Sequence, residues 1–152
     1  YVAICTIPIA VFFMGLIYAN TKIELEELAD KLGVDLRLMG LRDDIPQICN
    51  CADVGVMPST REGLGLSGIE MLAAGLPVVA SRVHGIVDYI SDGVDGYLCD
   101  PYNEHEFASA IKELSSEDIR NSMKENCRKY AEKFDKKFSY KKMREIYNEV
   151  LK

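Results

Sequence analysis

This sequence predicts a doubly wound α/β domain built on a parallel sheet, and three observations carry the prediction. Short apolar runs rich in Val, Ile and Phe recur along the chain. Between them lie segments whose apolar residues fall at helical spacing. Gly and Pro punctuate the junctions, and strands alternating with helices at such spacing imply right-handed crossovers and a sheet covered on both faces.

Taken in order, the opening stretch "YVAICTIPIAVFFMGLIYANT" has no charge before Lys22 and is long enough to span a bilayer. Pro8 interrupts it, no basic segment precedes it and β-formers dominate it, so it reads as buried strand, with a strand at 10–14. Thr21 reads as the cap of a helix through Leu25, Leu28 and Leu32 that stops at Gly33. Strands follow at 35–39, 53–57, 77–81 and 97–99, and helices at 44–51, 67–75, 85–91, 104–114 and 116–132, with a tail helix at 139–151. At 152 residues, 48% of them hydrophobic, the chain is one domain with a real core. It starts at Tyr1 without an initiator methionine and reads as part of a longer protein.

Composition narrows the function. The five cysteines show no C-x-x-C spacing and His84 and His105 lie far from them in sequence, so neither a disulfide framework nor a zinc site is expected, and a reducing cytoplasm fits best. The net charge is −6, yet residues 112–152 carry 12 Lys and Arg against 8 Asp and Glu. That basic stretch reads first as solvated helix faces and second as peripheral contact with an anionic membrane or a phosphate-bearing acceptor. An acidic chain without aromatic-basic interleaving does not predict nucleic acid as a partner.

In sheets of this class ligands bind outside the carboxyl ends of the strands. The candidate loops are therefore Gly40-Leu41-Arg42, Pro58 to Ser67 and Ser81 to Gly85. The second contains Gly63-Leu64-Gly65-Leu66-Ser67-Gly68, a literal G-x-G-x-x-G between Glu62 and Glu70. A dinucleotide loop needs its first glycine almost directly after a strand, and here Pro58 to Glu62 intervene, which argues against a nicotinamide or flavin cofactor. Ser67-Gly-Ile-Glu70 also fits a capping box, which by itself would explain Glu70. Capping leaves Glu62 unexplained. Carboxylates accept from vicinal hydroxyls and helix-start amides hold anions, so the pair flanking this loop suits a nucleotide sugar.

The stretch "ADVGVMPSTREGLGLSGIEMLAAGLPVVAS" resembles the donor-binding signature of the group 1, family-four retaining glycosyltransferases, E-x7-E followed by AxGxPVxAS. "HGIVDYISDGVDGYLCDP" is similar to the family's next conserved stretch, with Asp88 where glutamate is usual. The wording of "REGLGLSGIEMLAAGLP" looks most like bacterial exopolysaccharide and capsule enzymes. The resemblance implies that residues 1–152 are the C-terminal, Rossmann-like, nucleotide-sugar-binding half of a GT-B fold, with residues 139–152 as its tail helix and the N-terminal acceptor domain absent. It implies that Glu62 lies against the donor sugar at the catalytic centre and that Glu70 holds the ribose. The Gly63, Leu64, Gly65 and Leu66 backbone would serve sugar and diphosphate, and the base would sit by Leu41 and Arg42. The family's G-R-x4-K pair has no match here, and Gly15-Leu-Ile-Tyr-Ala-Asn20 stands where a G-x-G-P turn is usual.

The activity that the resemblance implies is transfer of a hexose, with retention, from a nucleotide diphosphate sugar to a glycan or lipid-linked acceptor. No cofactor and no metal are expected. The enzyme would work in the cytoplasm, at or near the inner membrane face, and this chain alone is expected to bind donor without transferring it. His84 reads as a surface or structural residue. Two rival readings are a nucleotide-sugar-binding module without catalysis and another GT-B enzyme such as a sugar-nucleotide epimerase.

Overall fold

The computed structural model describes the backbone of residues 2–6, 9–13 and 19–151, and the side chains of residues 22–151. The elements run β1 (Val2–Thr6), β2 (Ile9–Phe13), α1 (Ala19–Leu32), β3 (Asp35–Leu38), α2 (Ile45–Cys51), β4 (Val54–Met57), α3 (Leu66–Ala74) and β5 (Val78–Ser81). They continue with β6 (Gly96–Cys99), α4 (Glu104–Glu113), α5 (Glu117–Ala131), a 3₁₀ turn at Glu132–Phe134 and α6 (Lys136–Val150).

The six strands form one sheet in the order β3-β1-β2-β4-β5-β6. β2, β4, β5 and β6 are mutually parallel, which is the expected α/β sheet. β1 departs from the expectation of a parallel sheet, because it pairs antiparallel with both β2 and β3. Only Ile7 and Pro8 separate β1 from β2 in sequence, too few residues for a crossover, so the second strand can pair only by doubling back. The departure from the G-x-G-P turn at residues 15–20 falls largely on residues outside those described.

Every residue of β4 and β5 is buried. Successive strand residues face opposite sides, so both faces of the central sheet are covered. The core gathers Val54, Met57, Met71, Leu72, Val78, Val79, Ile86 and Tyr89, and α5 adds Met123 and Cys127. Burial pushes the Cys49 and Cys99 thiols up to about 11 and the Cys127 thiol up to about 12, so these cysteines behave as small apolar residues.

Two helical expectations shift and one fails. Thr21 lies inside α1, which starts at Ala19, while Gly33 with φ +66° does end it. α6 starts three residues before position 139, because Asp135 accepts from the Lys137 amide at 2.8 Å and caps it. No α6 residue is buried. The helix at 85–91 does not form. Ile86, Tyr89 and Ile90 are buried at helical spacing, but Gly85 takes φ +83° and the chain turns irregularly down to the core. Among the described residues no helix is long and apolar enough to cross a membrane.

Asp95 closes the turn before β6. It is fully buried, and its Oδ1 accepts from the Ser91 amide at 2.8 Å, while Oδ2 has no partner among the described residues. Burial raises its carboxyl above the usual range, and the Ser91 N–H only partly opposes this. The folded state therefore keeps a proton that the unfolded chain releases, and stability is lost as pH rises from the ordinary carboxylate value through the raised one. Asp95→Asn removes this titration. We expect the variant to gain stability relative to the parent between about pH 4 and about pH 8. Urea midpoints at the two pH values check it, and a difference independent of pH would refute it.

Candidate functional site

Because β4 and β5 are parallel, their carboxyl ends open on the same edge of the sheet, and two of the three candidate loops leave from there. They touch through backbone. A Cβ on Gly85 would overlap the Gly63 carbonyl and stand 3.2 Å from the Glu62 carbonyl, so the loop after β5 lies directly on the loop after β4. This seats His84 beside Glu62. The third loop stays apart: Leu41 is 95% exposed, and Arg42 is held by Asp44 through bonds of 2.8 and 2.6 Å. Neither residue lines a cleft with Glu62 or Glu70.

The three glycines of Gly63 to Gly68 have different causes. Gly65 takes φ +65°, and its Cβ would meet the Tyr89 hydroxyl at 2.7 Å. A Cβ on Gly68 would overlap the same hydroxyl and lie 2.7 Å from the Met57 sulfur. Tyr89, fully buried, thus rises under the start of α3 and requires both residues to be small. Gly63 is different: its φ is not positive, and nothing lies within 4 Å of its Cβ position. The fold does not ask for glycine there, whereas a ligand pressed against that backbone would.

The capping box does not form. Gly65 is the N-cap, its carbonyl accepting from the Gly68 amide at 2.9 Å, and Ser67 falls inside the first turn with no side-chain cap bond. The helix begins one residue early because the left-handed glycine, not the serine, turns the chain into it. This has two effects. The first-turn amides of α3 lack side-chain partners, which leaves a positive helix end facing outward from the glycine loop. Glu70 is freed from the reciprocal bond and stands exposed on α3.

The two glutamates face two clefts. Glu62 lines one of about 710 Å³ with Arg61, Gly63, Arg82 and His84, and its carboxylate accepts from the Gly63 amide at 3.1 Å. Glu70 lines another of about 390 Å³ with Ile45, Pro46 and Asn50 of α2 and Arg128 of α5. The helix start lies between the two glutamates in sequence, so carboxylate, amide and carboxylate succeed one another around the loop. Chemically this offers acceptors for hydroxyls on either side of an anion-holding helix end. Burial pushes the Tyr89 phenol well above its usual range, and the negative charge of Glu62 adds to this.

Sequence reasoning does not single out Arg61, Arg82 or Arg128, and His84, expected as a surface or structural residue, is exposed on the wall of the Glu62 cleft. The signal available for Arg61, Arg82 and His84 was position alone, in the loops after β4 and β5. Arg128 comes from a helix over fifty residues further on and carried no signal. Asp88, at the position where the resemblance expects glutamate, is exposed, and its carbonyl accepts from the Tyr130 hydroxyl at 3.5 Å. Among the described residues no group of three or more His, Cys, Asp or Glu is placed to hold a metal ion.

Residues 6–134 match the family model described as "Glycosyl transferases group 1". A D-inositol 3-phosphate glycosyltransferase of Corynebacterium kroppenstedtii is 34% identical over 134 residues, which cover 85% of this chain and 30% of that protein. A UDP-Gal:alpha-D-GlcNAc-diphosphoundecaprenol alpha-1,3-galactosyltransferase of Escherichia coli is 34% identical over 93 residues, covering 61% of this chain and 24% of that protein. Among solved structures, HepE of Anabaena in complex with UDP superposes with a TM-score of 0.82 at 24% identity, over 91% of this chain and 40% of that one. The chain thus spans about a third of the length of the curated relatives it matches.

Proposed function

The chain belongs to the group 1 glycosyl transferases, and from that premise we propose that residues 1–152 are the donor-binding domain of a retaining hexosyltransferase. The donor would be a nucleoside diphosphate hexose, and the acceptor a glycan or lipid-linked sugar held by a separate N-terminal domain. The observation that carries this reading is the placement of Glu62 and Glu70 at either end of the glycine loop, with the start of α3, which has no side-chain cap, between them. The amides and helix dipole suit the diphosphate. Glu70, beside the apolar wall of Ile45 and Pro46, suits the ribose, and Glu62, beside the ligand-accessible Gly63, suits the hexose.

Departure of the nucleoside diphosphate leaves charge that fixed amides stabilise without reorganising, which is where such a loop accelerates transfer. Glu62 orients the sugar and does not attack it. No metal or cofactor is needed for these steps. A uridine nucleotide is the first ligand to try, since one of the relatives named above takes UDP-galactose. Its diphosphoundecaprenol-linked acceptor supports a role in polysaccharide assembly, in line with the exopolysaccharide type that the resemblance implies.

Titration of UDP and UDP-glucose into the chain and two variants tests this. Glu70→Gln is expected to weaken both ligands about tenfold, because the ribose is common to them. Glu62→Gln is expected to leave UDP unchanged and to remove the extra affinity contributed by the hexose. Equal effects of Glu62→Gln on both ligands would take Glu62 off the sugar. Unchanged affinity in Glu70→Gln would leave that residue without a ligand role.

A further inference from the structure

The cleft beside Glu62 holds a positive charge that the fold does not use. Several arginines elsewhere in the chain are engaged: Arg42 with Asp44, Arg120 with Asp53 at 3.1 Å, Arg128 with the Ala74 carbonyl at 3.3 Å. Within the cleft, Arg82 donates to Asp92 at 3.1 Å and to the Leu98 carbonyl at 2.7 Å, so its guanidinium braces the turn before β6. Arg61 makes no hydrogen bond or ion pair with any described residue, although Glu62 adjoins it in sequence. The Glu62 carboxylate turns instead to the Gly63 amide. An exposed guanidinium is thus left on the wall of a cleft of about 710 Å³, next to the carboxylate assigned to the sugar and to backbone that accepts close approach.

The other wall is fixed. The close approach of Gly85 to the Gly63 carbonyl sets the loop after β5, with His84, against the Glu62 loop, so these two loops form the walls of the cleft. A free arginine in such a gap suits a planar or tetrahedral oxyanion, which it can grip with two parallel N–H bonds. Among the described residues two arginines, Arg61 and Arg82, stand on the walls of this cleft, and Arg82 is bound to Asp92 and to the Leu98 carbonyl.

We propose that Arg61 reads an acidic group of the ligand held in this cleft. The shared chemistry is an oxyanion within reach of Glu62, and it has two sources: the diphosphate of the donor or a carboxylate on its sugar. The proposal rests on the donor-binding reading above and adds to it a residue that decides charge.

UDP, UDP-glucose and UDP-glucuronic acid, titrated separately into the parent chain, Arg61→Ala and Arg61→Lys, test it. Because Arg61 bonds to no described residue, the urea midpoints of the variants are expected to match the parent, which separates ligand effects from unfolding. If the group is the diphosphate, Arg61→Ala weakens all three ligands alike, by about tenfold or more. If it is a sugar carboxylate, UDP-glucuronic acid alone loses that factor and UDP is unchanged. In either case Arg61→Lys recovers only part of the loss, because a point charge replaces a two-bond grip. Unchanged affinity for all three ligands in Arg61→Ala, with the parent binding UDP, overturns the role of Arg61 and leaves the donor reading standing. A parent chain that binds none of the three overturns both.

Discussion

Gly85→Ala is expected to cost more than about 2 kcal/mol of stability and to abolish nucleotide binding together. Two causes act at one position. At φ +83° an L side chain is strained by roughly 1–2 kcal/mol before any contact is considered. Its Cβ would also overlap the Gly63 carbonyl, a backbone atom that cannot rotate away, so one of the two loops has to move. The loop that moves carries either His84 or Glu62 and Gly63, and the cleft between them loses its shape. Gly63→Ala makes the comparison informative, because a Cβ there meets nothing and its φ is not positive. That variant is expected to keep its urea midpoint while weakening UDP-glucose. An unchanged midpoint for Gly85→Ala would mean that the two loops do not bear on each other in solution.

Tyr89→Ala is expected to lose about 3–5 kcal/mol, as for other large buried aromatic residues. The ring is fully buried and meets Phe134 edge-on, with centroids 6.2 Å apart, so its removal empties the space under the α3 start and uncouples the 3₁₀ turn that follows α5. Tyr89→Phe separates packing from polarity. Among the described residues the hydroxyl's hydrogen-bond partner is the Met57 sulfur, at 3.6 Å, a weak acceptor, so the phenylalanine variant is expected to stay within about 1 kcal/mol of the parent. If the two variants lost equal stability in urea, the hydroxyl and not the ring would be what supports the loop.

Much of the framework was legible in the sequence because it rests on local causes. α4 and α5 lie within a residue of their expected bounds, and β4 and β5 were readable as continuous apolar runs, since a strand covered on both faces has no polar side. Gly75 closes α3 by a local cause: with φ +81° it donates its amide to the Leu72 carbonyl, and the Leu76 amide goes to the Met71 carbonyl. The failures also have physical reasons. Ile86, Tyr89 and Ile90 have helical spacing but line an irregular turn, because spacing records which residues are buried and not which backbone buries them. Ser67 and Glu70 have the spacing of a capping box, yet the left-handed Gly65 started the helix before the serine could cap it.

The sequence by itself determined the fold class, the E-x7-E pair around a glycine loop and the family, since each is a pattern of residue types along one segment of chain. Only the tertiary structure decided what the glycines are for. Gly65 and Gly68 yield to a buried tyrosine over twenty residues away, Gly85 yields to the Gly63 carbonyl, and Gly63 yields to nothing among the described residues. It also decided that Glu62 and Glu70 open on separate clefts, that Leu41 and Arg42 line neither, and that Arg61 has no partner among the described residues while Arg82 is tied down. The reason is range. A motif is read within a dozen residues, whereas clefts and charge pairings are set where distant strand ends and helices converge, and that convergence is fixed by packing of the whole sheet.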